Sequence, residues 1–388
     1  MITLALILIA APVACFVYAY AIYPAALWIA ASFRPRPREW PDPPEWPSIT
    51  IIIPAYNEER VIAATLDALL AIDYPAERRQ IVVVSDASTD RTDAIVASYA
   101  ARGVELLRMP QRSGKSAAEN AVAAVCRGDI LVNTDASIRI QRHSLKPLLR
   151  VFQDPTVGVA SGRDVSVGDE RAEANAGESR YVGYEMWVRA METRLGSIVG
   201  ASGCFYAIRK QFHDTQLPPA LVRDFAGVLI AREHGYRAVS VDAATAVVPR
   251  TSSLQVEYRR KIRTMVGGIH TLWYKRHLMN PFRYGGFALM LVSHKLCRWL
   301  FYLLLPAAAL GLVLLAARVP LAALLLAAAL VALALGVVGM RWPAGRRVPA
   351  LFALPGFIVA SNVAGMLAWL KVLRGERAVV WEPTRRPL

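Results

Sequence analysis

Four long stretches without a single charged residue constrain this chain more than anything else in it: Met1–Ser32, Trp299–Ala317, Pro320–Met340 and Ala350–Leu370. Each approaches or exceeds the roughly 17–25 residues that a helix needs to cross a bilayer, so four transmembrane helices are expected. Of the 388 residues, 55% hydrophobic and with a formal net charge of +15, that leaves a large polar remainder for a folded domain.

Met1–Ser32 does not read as a signal peptide, because it lacks a basic leading region and its apolar run exceeds the usual core of about 7–15 residues. Charge follows it instead, at Arg34, Arg36 and Arg38, which places the N-terminus outside and the next region in the cytoplasm by the positive-inside rule. Arg341, Arg346 and Arg347 between the third and fourth spans agree with this orientation. The tail does not: four spans put it outside, yet it carries Arg374, Arg377, Arg385 and Arg386 against Glu376 and Glu382. The span that this puts in question is Ala350–Leu370, interrupted by Pro355. Cys15, Cys126, Cys204 and Cys297 show no paired spacing, so neither a zinc site nor a redox pair is expected, and each reads as a small buried hydrophobe.

Between the first two spans, short β-branched runs end abruptly in polar residues, as buried parallel strands do at their carboxyl ends. Ile49–Ile53 runs into Pro54-Ala-Tyr-Asn-Glu-Glu59, Gln80–Val84 into Ser85-Asp86-Ala-Ser-Thr-Asp90, and Ile130–Val132 into Asn133-Thr-Asp135-Ala-Ser137. Helices are expected after Asn57 to about Leu70, over Asp90–Ala101 and over Ala117–Val125, with a further strand at Gly103–Arg108. Strand and helix alternating at this spacing give a parallel sheet with right-handed crossovers. Asp86 and Asp135 then converge on one rim, where open α/β sheets bind ligands. Asp135 and Ser137 can offer a carboxylate and a hydroxyl to a hard divalent cation that keeps its other positions for phosphate oxygens. The competing reading makes Asp135 part of an Asx turn, and Asn57 a helix cap with Glu58 and Glu59 in the first turn.

Gly114-Lys115-Ser116 looks like part of a P-loop, but that pattern needs a glycine five residues earlier and Met109 stands there, so the ATPase reading is rejected. Lys115, near a helix N-terminus, is a candidate diphosphate contact or a solvated lysine.

Taken in order, Pro54-Ala-Tyr-Asn-Glu-Glu, Val84-Ser-Asp86-Ala-Ser-Thr-Asp90-Arg-Thr, Gly114-Lys-Ser-Ala-Ala-Glu-Asn120 and Thr134-Asp135-Ala-Ser137 resemble the successive motifs of the family 2 glycosyltransferases, inverting enzymes of the GT-A fold. The resemblance runs from Ile49 to about Thr264, and the placing of the apolar spans is similar to the membrane-bound polysaccharide branch of that family. It implies a nucleotide-diphosphate sugar donor. Asp86 would meet the base or ribose, with Pro54, Tyr56 and Glu58 beside it, Lys115 the diphosphate, and Asp135 with Ser137 a Mg or Mn ion. The family's usual Asp-x-Asp is here Asp135-Ala-Ser137, which implies a weaker metal grip or a ligand from elsewhere. Where the family has two acids opening a later helix, this chain has Arg223-Asp224; Asp224 matches the general base, and Arg223 is expected to favour its ionised form. A first-turn or capping Asp is the competing reading. Arg260-Lys-Ile-Arg263-Thr264 keeps one arginine of the family's Gln-x-x-Arg-Trp signature, so Arg260 and Arg263 would neutralise the leaving diphosphate or bind anionic lipid.

Trp40 and Trp46, in the Pro-rich segment Pro35–Pro47, suit a membrane interface. Glu178–Leu195 is a helix, and Gly200–Arg209 a small-residue turn and strand where substrate approaches the backbone. Leu254, Tyr258, Ile262, Met265, Ile269 and Leu272 make an amphipathic helix lying along the membrane surface. Ser293-His-Lys295-Leu-Cys-Arg298 snorkels at the start of the second span.

The expected architecture is thus α/β: a cytoplasmic GT-A (Rossmann-like) domain over 49–250, between a transmembrane helix over 1–32 with a Pro-rich linker over 33–48, and interface helices over 251–298. Transmembrane helices over 299–372 and a tail over 373–388 complete it. The expected partners are a nucleotide-sugar donor, a glycan or lipid-linked acceptor and membrane lipids, with no nucleic acid. A polyprenyl-phosphate sugar synthase is the near alternative, and a catalytically silent, glycosyltransferase-like scaffold the distant one. A transporter fits poorly, since the spans hold few charges.

Overall fold

The computed structural model describes residues 1–35, 39–167, 176–249, 254–342 and 348–377. Arg36, Arg38, Arg346, Arg347 and the tail beyond residue 377 lie outside the described residues, and with them most of the charges used above to orient the chain. The chain divides into two units, one of residues 33–167, 184–250 and 378–388, the other of 1–32, 168–183 and 251–377.

The first unit is built on a sheet of β1 (Ile49–Ala55), β2 (Arg79–Ser85), β3 (Val104–Arg108), β4 (Ile130–Thr134), β5 (Arg139–Ile140), β6 (Val157–Val167), β7 (Phe205–Arg209) and β8 (Arg237–Pro249). The order is β3-β2-β1-β4-β7-β6-β8-β5. The first four strands run parallel, as expected from their alternation with helices. Beyond β4 the sheet is mixed: β7 is antiparallel to both β4 and β6, whereas β6 and β8 are parallel. Every residue of β1 is buried because both faces are covered. Ile49, Ile51 and Ile53 pack with Ile62, Leu66 and Leu69 of the helix Ile62–Leu70. Ile52 packs with Val82, Val84, Ala118 and Val122 on the other face. Gly128 brings the chain into β4 against β1, where a Cβ would stand 2.3 Å from the Ile49 carbonyl carbon, so no other residue fits without moving the strand.

This order places the topological switch between β1 and β4, which opens a crevice beyond their carboxyl ends. The helices beside that crevice start later than expected. The first begins at Ile62 and not just after Asn57, and the second is Thr92–Ser98. Asn57 is therefore no cap, and Glu58 and Glu59 do not sit in a first helical turn. Trp46 also departs from expectation: its ring meets Tyr74 edge-on at 5.6 Å, and the Tyr74 hydroxyl donates to the Pro47 carbonyl, so it seats the linker on the sheet unit.

In the second unit four helices are long and apolar enough to cross a membrane: Ile2–Ser32, Gly286–Ala316, Pro320–Met340 and Ala350–Leu373. Pro355 does not break the last, which is helical throughout. Close contact between these helices relies on small residues, as lipid supplies no hydrophobic drive for association. A Cβ on Gly339 would stand 2.3 Å from the Phe352 carbonyl oxygen, and one on Gly365 would enter the Tyr302 ring. The amphipathic helix is Leu254–Tyr274, but its stripe faces protein: Met265, Val266, Ile269 and Leu272 are buried, and the helix packs on Ala350–Leu373. Part of the face expected to lie on the membrane surface is thus taken up by protein. Periodicity reveals an apolar face without revealing what covers it.

Candidate functional site

The loops that leave β1 and β2 are clipped together at the crevice. The Thr89 amide donates to Asn57 Oδ1 at 2.8 Å, the Asn57 amide to the Ser88 hydroxyl at 3.2 Å, and the Glu58 amide to the Thr92 hydroxyl at 2.8 Å. To make this clip, Asn57 and Ala87 take left-handed backbone conformations, φ 54° and 57°. For an alanine that costs on the order of 1–2 kcal/mol, a strain found mainly at functional sites. Tyr56 emerges half-buried beneath the Arg112 guanidinium, 3.9 Å from its ring centre, while Glu58 is half-buried beside it and Pro54 is buried within β1.

Asp86 is fully buried. Its carboxylate accepts the backbone amides of Ser113 at 2.7 Å and Gly114 at 2.9 Å, so it clamps the loop that opens the helix Lys115–Ala121. Lys115 projects from that helix start. Its ammonium donates to Asp135 Oδ1 at 2.5 Å and to the Gly203 carbonyl at 3.2 Å, and both charged side chains are about one-third exposed. Burial disfavours the ammonium, yet the Asp135 and Glu119 carboxylates outweigh it and raise its pKa. Ser137 follows two residues after Asp135, half-buried.

Asp224 stands in the first turn of the helix Arg223–Glu233, whose cap is Val222. Gly203 lies directly against it, since a Cβ there would be 3.1 Å from Asp224 Oδ2. The glycine expected to admit substrate therefore makes room for this carboxylate, while its carbonyl holds Lys115. Burial pushes the Asp224 carboxyl above its ordinary value, against the pull of the Lys115 ammonium. Lys115 thus joins the Asp135 loop to the Gly203 segment that lies against Asp224.

Arg223 points elsewhere. It is buried, 3.8 Å from the Glu119 carboxylate, and it donates to the His213 carbonyl at 2.7 Å, to Asn120 Oδ1 and to the Thr215 carbonyl. Its expected role in keeping Asp224 ionised is replaced by that of Lys115. Glu119 and Asn120, noted in the sequence only as part of a motif, are thus its anchors. Burial raises the Glu119 carboxyl to about 7 against the opposing charges of Lys115 and Arg223. Arg189 escaped the sequence reading too. It is buried on the helix Ala176–Leu195, donates to the Ala201 carbonyl and the Ser161 hydroxyl, and adds positive charge near Asp224. Its only signal was an arginine in an otherwise apolar turn. Arg260 and Arg263 belong to the helix Leu254–Tyr274 in the other unit.

A twisted α/β sheet whose acidic loops meet at the switch between β1 and β4 defines the Rossmann-like GT-A class of fold. Residues 50–216 match the glycosyl transferase family 2. Among curated relatives, an N-acetylglucosaminyltransferase of Rhizobium sp. (strain N33) is 26% identical over 239 residues, covering 56% of this chain and 52% of that protein. A beta-monoglucosyldiacylglycerol synthase of Nostoc sp. is 28% identical over 174 residues, 44% of this chain and 37% of that one. The chain thus spans about half the length, or less, of these relatives. The solved mannosyltransferase PcManGT from Pyrobaculum calidifontis, in complex with GDP-Man and Mn2+, shares the fold at 23% identity. Its TM-score is 0.74, over 97% of this chain and 99% of that one.

Proposed function

We propose that this protein transfers a sugar, with inversion, from a nucleotide-diphosphate sugar to a lipid-linked or polysaccharide acceptor at the membrane. Its catalytic unit faces the cytoplasm, the side on which such donors are made. The observation that carries the reading is the Lys115 bridge: one ammonium links the carboxylate suited to the donor's diphosphate, Asp135, to the segment that seats a candidate base, Asp224. A lipid acceptor agrees with the four apolar helices and with the diacylglycerol named for the Nostoc relative.

In this mechanism Asp224 removes the proton from the acceptor hydroxyl as its oxygen pair attacks the anomeric carbon. The bond from that carbon to the diphosphate oxygen breaks, and the pair leaves with the nucleoside diphosphate. Lys115 is placed to turn from Asp135 to the departing phosphates. The Tyr56–Arg112 stack offers a flat cationic surface for the base, and Asp86 braces the Ser113-Gly114 loop beside it.

The residues fit a divalent metal of one particular kind. Among the described residues no three His, Cys, Asp or Glu side chains gather as ligands. Asp135, with Ser137 nearby, supplies one partly exposed carboxylate, which suits an ion that takes most of its ligands from phosphate and water. Bound there, the metal would neutralise charge on the diphosphate. Calorimetry should therefore show no manganese binding to the protein alone and clear binding once a nucleoside diphosphate is present. Asp135→Asn should remove the metal-dependent part of that affinity and leave the protein folded. Tight manganese binding without nucleotide, or unchanged affinity in Asp135→Asn, would contradict the assignment.

The Lys115–Asp224 coupling gives a pH test. A base works only when deprotonated, so transfer falls as pH drops through the Asp224 pKa. Lys115 holds that pKa down, and Lys115→Gln should raise it further. The acidic limb of the kcat profile should shift to higher pH in the variant. A lower kcat with the limb unmoved would mean that Lys115 serves the phosphates alone.

The scaffold reading rested on Arg223 and Ser137 standing where family acids do. The Arg223 pairing weakens it, because that side chain is buried against Glu119 and leaves the space beside Asp224 to Gly203. The test is nucleotide-sugar turnover: purified protein in lipid should release nucleoside diphosphate from one donor of a screened set, with manganese and a membrane lipid extract. No turnover of any donor would favour the scaffold.

A further inference from the structure

The helix Gly286–Ala316 carries Ser293, His294, Lys295 and Arg298 within its length, where snorkelling to the membrane surface was expected. They do not snorkel. His294 is 1% exposed and Arg298 4%, turned into the helical unit. Basic side chains held inside a membrane unit are costly and by default mark a function. Two π-helical turns accompany them, Tyr18–Ile22 in the first helix and Val292–Cys297 in this one, and the Tyr18 and Ser293 hydroxyls hydrogen-bond at 2.7 Å. Such turns are rare and collect at functional sites. Each supplies lining to one cavity of about 250 Å³: Tyr20 from the first, His294 and Lys295 from the second, joined by Arg298, Lys261 and Asn362. Met265, Trp299, Phe357 and Ile358 form its apolar side. We infer that this cavity binds the phosphate of an anionic lipid, with the headgroup against Lys261, His294, Lys295 and Arg298 and the adjoining chain along the apolar wall.

The size of the cavity limits the occupant. At about 250 Å³ it falls below the roughly 300–1,000 Å³ of sites that enclose whole small molecules, so it suits a headgroup and not a nucleotide sugar. Basic pockets between membrane helices recognise lipid phosphates by this combination of charge and depth. The site lies wholly within the helical unit and does not depend on the transfer reaction. Arg298 also stacks over the Tyr20 ring at 5.3 Å, and Lys261 over Phe357 at 5.6 Å, which presents both cations on aromatic faces.

Native mass spectrometry of the full chain in neutral detergent tests the inference. The probes are phosphatidylglycerol, phosphatidylcholine with the same acyl chains, a polyprenyl monophosphate and inorganic phosphate. Retention of phosphatidylglycerol or the polyprenyl phosphate should exceed that of phosphatidylcholine about tenfold or more, and Lys261→Gln and Arg298→Gln should each reduce it by a similar factor. Lys261→Gln keeps the stem of a half-buried side chain, so the test stands even where Arg298→Gln fails to fold. A preference for the monophosphate identifies a prenyl carrier, and equal retention of the two anionic lipids a bilayer phospholipid. Displacement by inorganic phosphate at equal concentration would overturn the lipid part of the inference. Equal retention of phosphatidylcholine, or undiminished retention in Lys261→Gln, would overturn the site.

Discussion

Asp224→Asn is expected to lower sugar transfer by about 10²–10⁴ while nucleoside diphosphate affinity hardly changes. The change removes the acceptor of the proton and little else. Asparagine has the same shape against Gly203, and the lost first-turn charge costs the helix only about 0.3–1 kcal/mol. Transfer and donor affinity measured on equal amounts of membrane-inserted protein separate the two roles. If Asp224 only supported its helix, activity would follow the small change in stability. Full activity in the variant would remove Asp224 from the chemistry, and with it the carrying over of the family's acid pair onto Arg223-Asp224.

The second large effect falls on stability, at the neighbouring residue. Arg223 fills a polar pocket bounded by Glu119, Asn120 and the carbonyls of His213 and Thr215. Arg223→Met should destabilise the sheet unit by about 3–5 kcal/mol, because it leaves Asn120 and the His213 and Thr215 carbonyls without their donor and takes one of two cations from the buried Glu119. In a unit of this size that lowers the unfolding midpoint by roughly 6–20 °C, as read by thermal unfolding of the purified protein. Arg223→Glu, which restores an acid where the family has one, should be worse, since it sets a second carboxylate beside Glu119. A stable and more active Arg223→Glu protein would mean that the arginine is a lesion in the site and not a strut behind it.

Much of this was legible in the chain itself, for identifiable reasons. β1, β2 and β4 are covered on both faces and so appear as unbroken β-branched runs, and the polar residues after them mark the rim where ligands bind. β6 and β8 were not legible. Val-Gly-Val-Ala-Ser-Gly-Arg-Asp-Val-Ser-Val and its partner lack a continuous apolar run, and their pairing with each other depends on contacts about 80 residues apart. Asp135 and Asp224 were found as separate acids, but not the Lys115–Gly203 link between them, nor that Asp86 spends both oxygens on backbone amides. Arg223 misled because adjacency in sequence implied adjacency of charge. On a helix, consecutive side chains diverge by about 100°, and Arg223 and Asp224 face different environments. The basic residues of Gly286–Ala316 misled for a related reason: composition places a charge near a span without saying whether it turns outward or into the protein.

The central claim is that one site holds both the donor's diphosphate and the base for the acceptor. It is tested most directly by following nucleoside diphosphate release and labelled sugar incorporation together, in the purified chain reconstituted with lipid acceptors and manganese. The wild-type protein should couple the two one to one. Asp135→Asn should lose both through weaker donor binding, and Asp224→Asn should bind donor but lose incorporation. Incorporation that persists in both variants, or donor binding lost equally in both, would contradict the account.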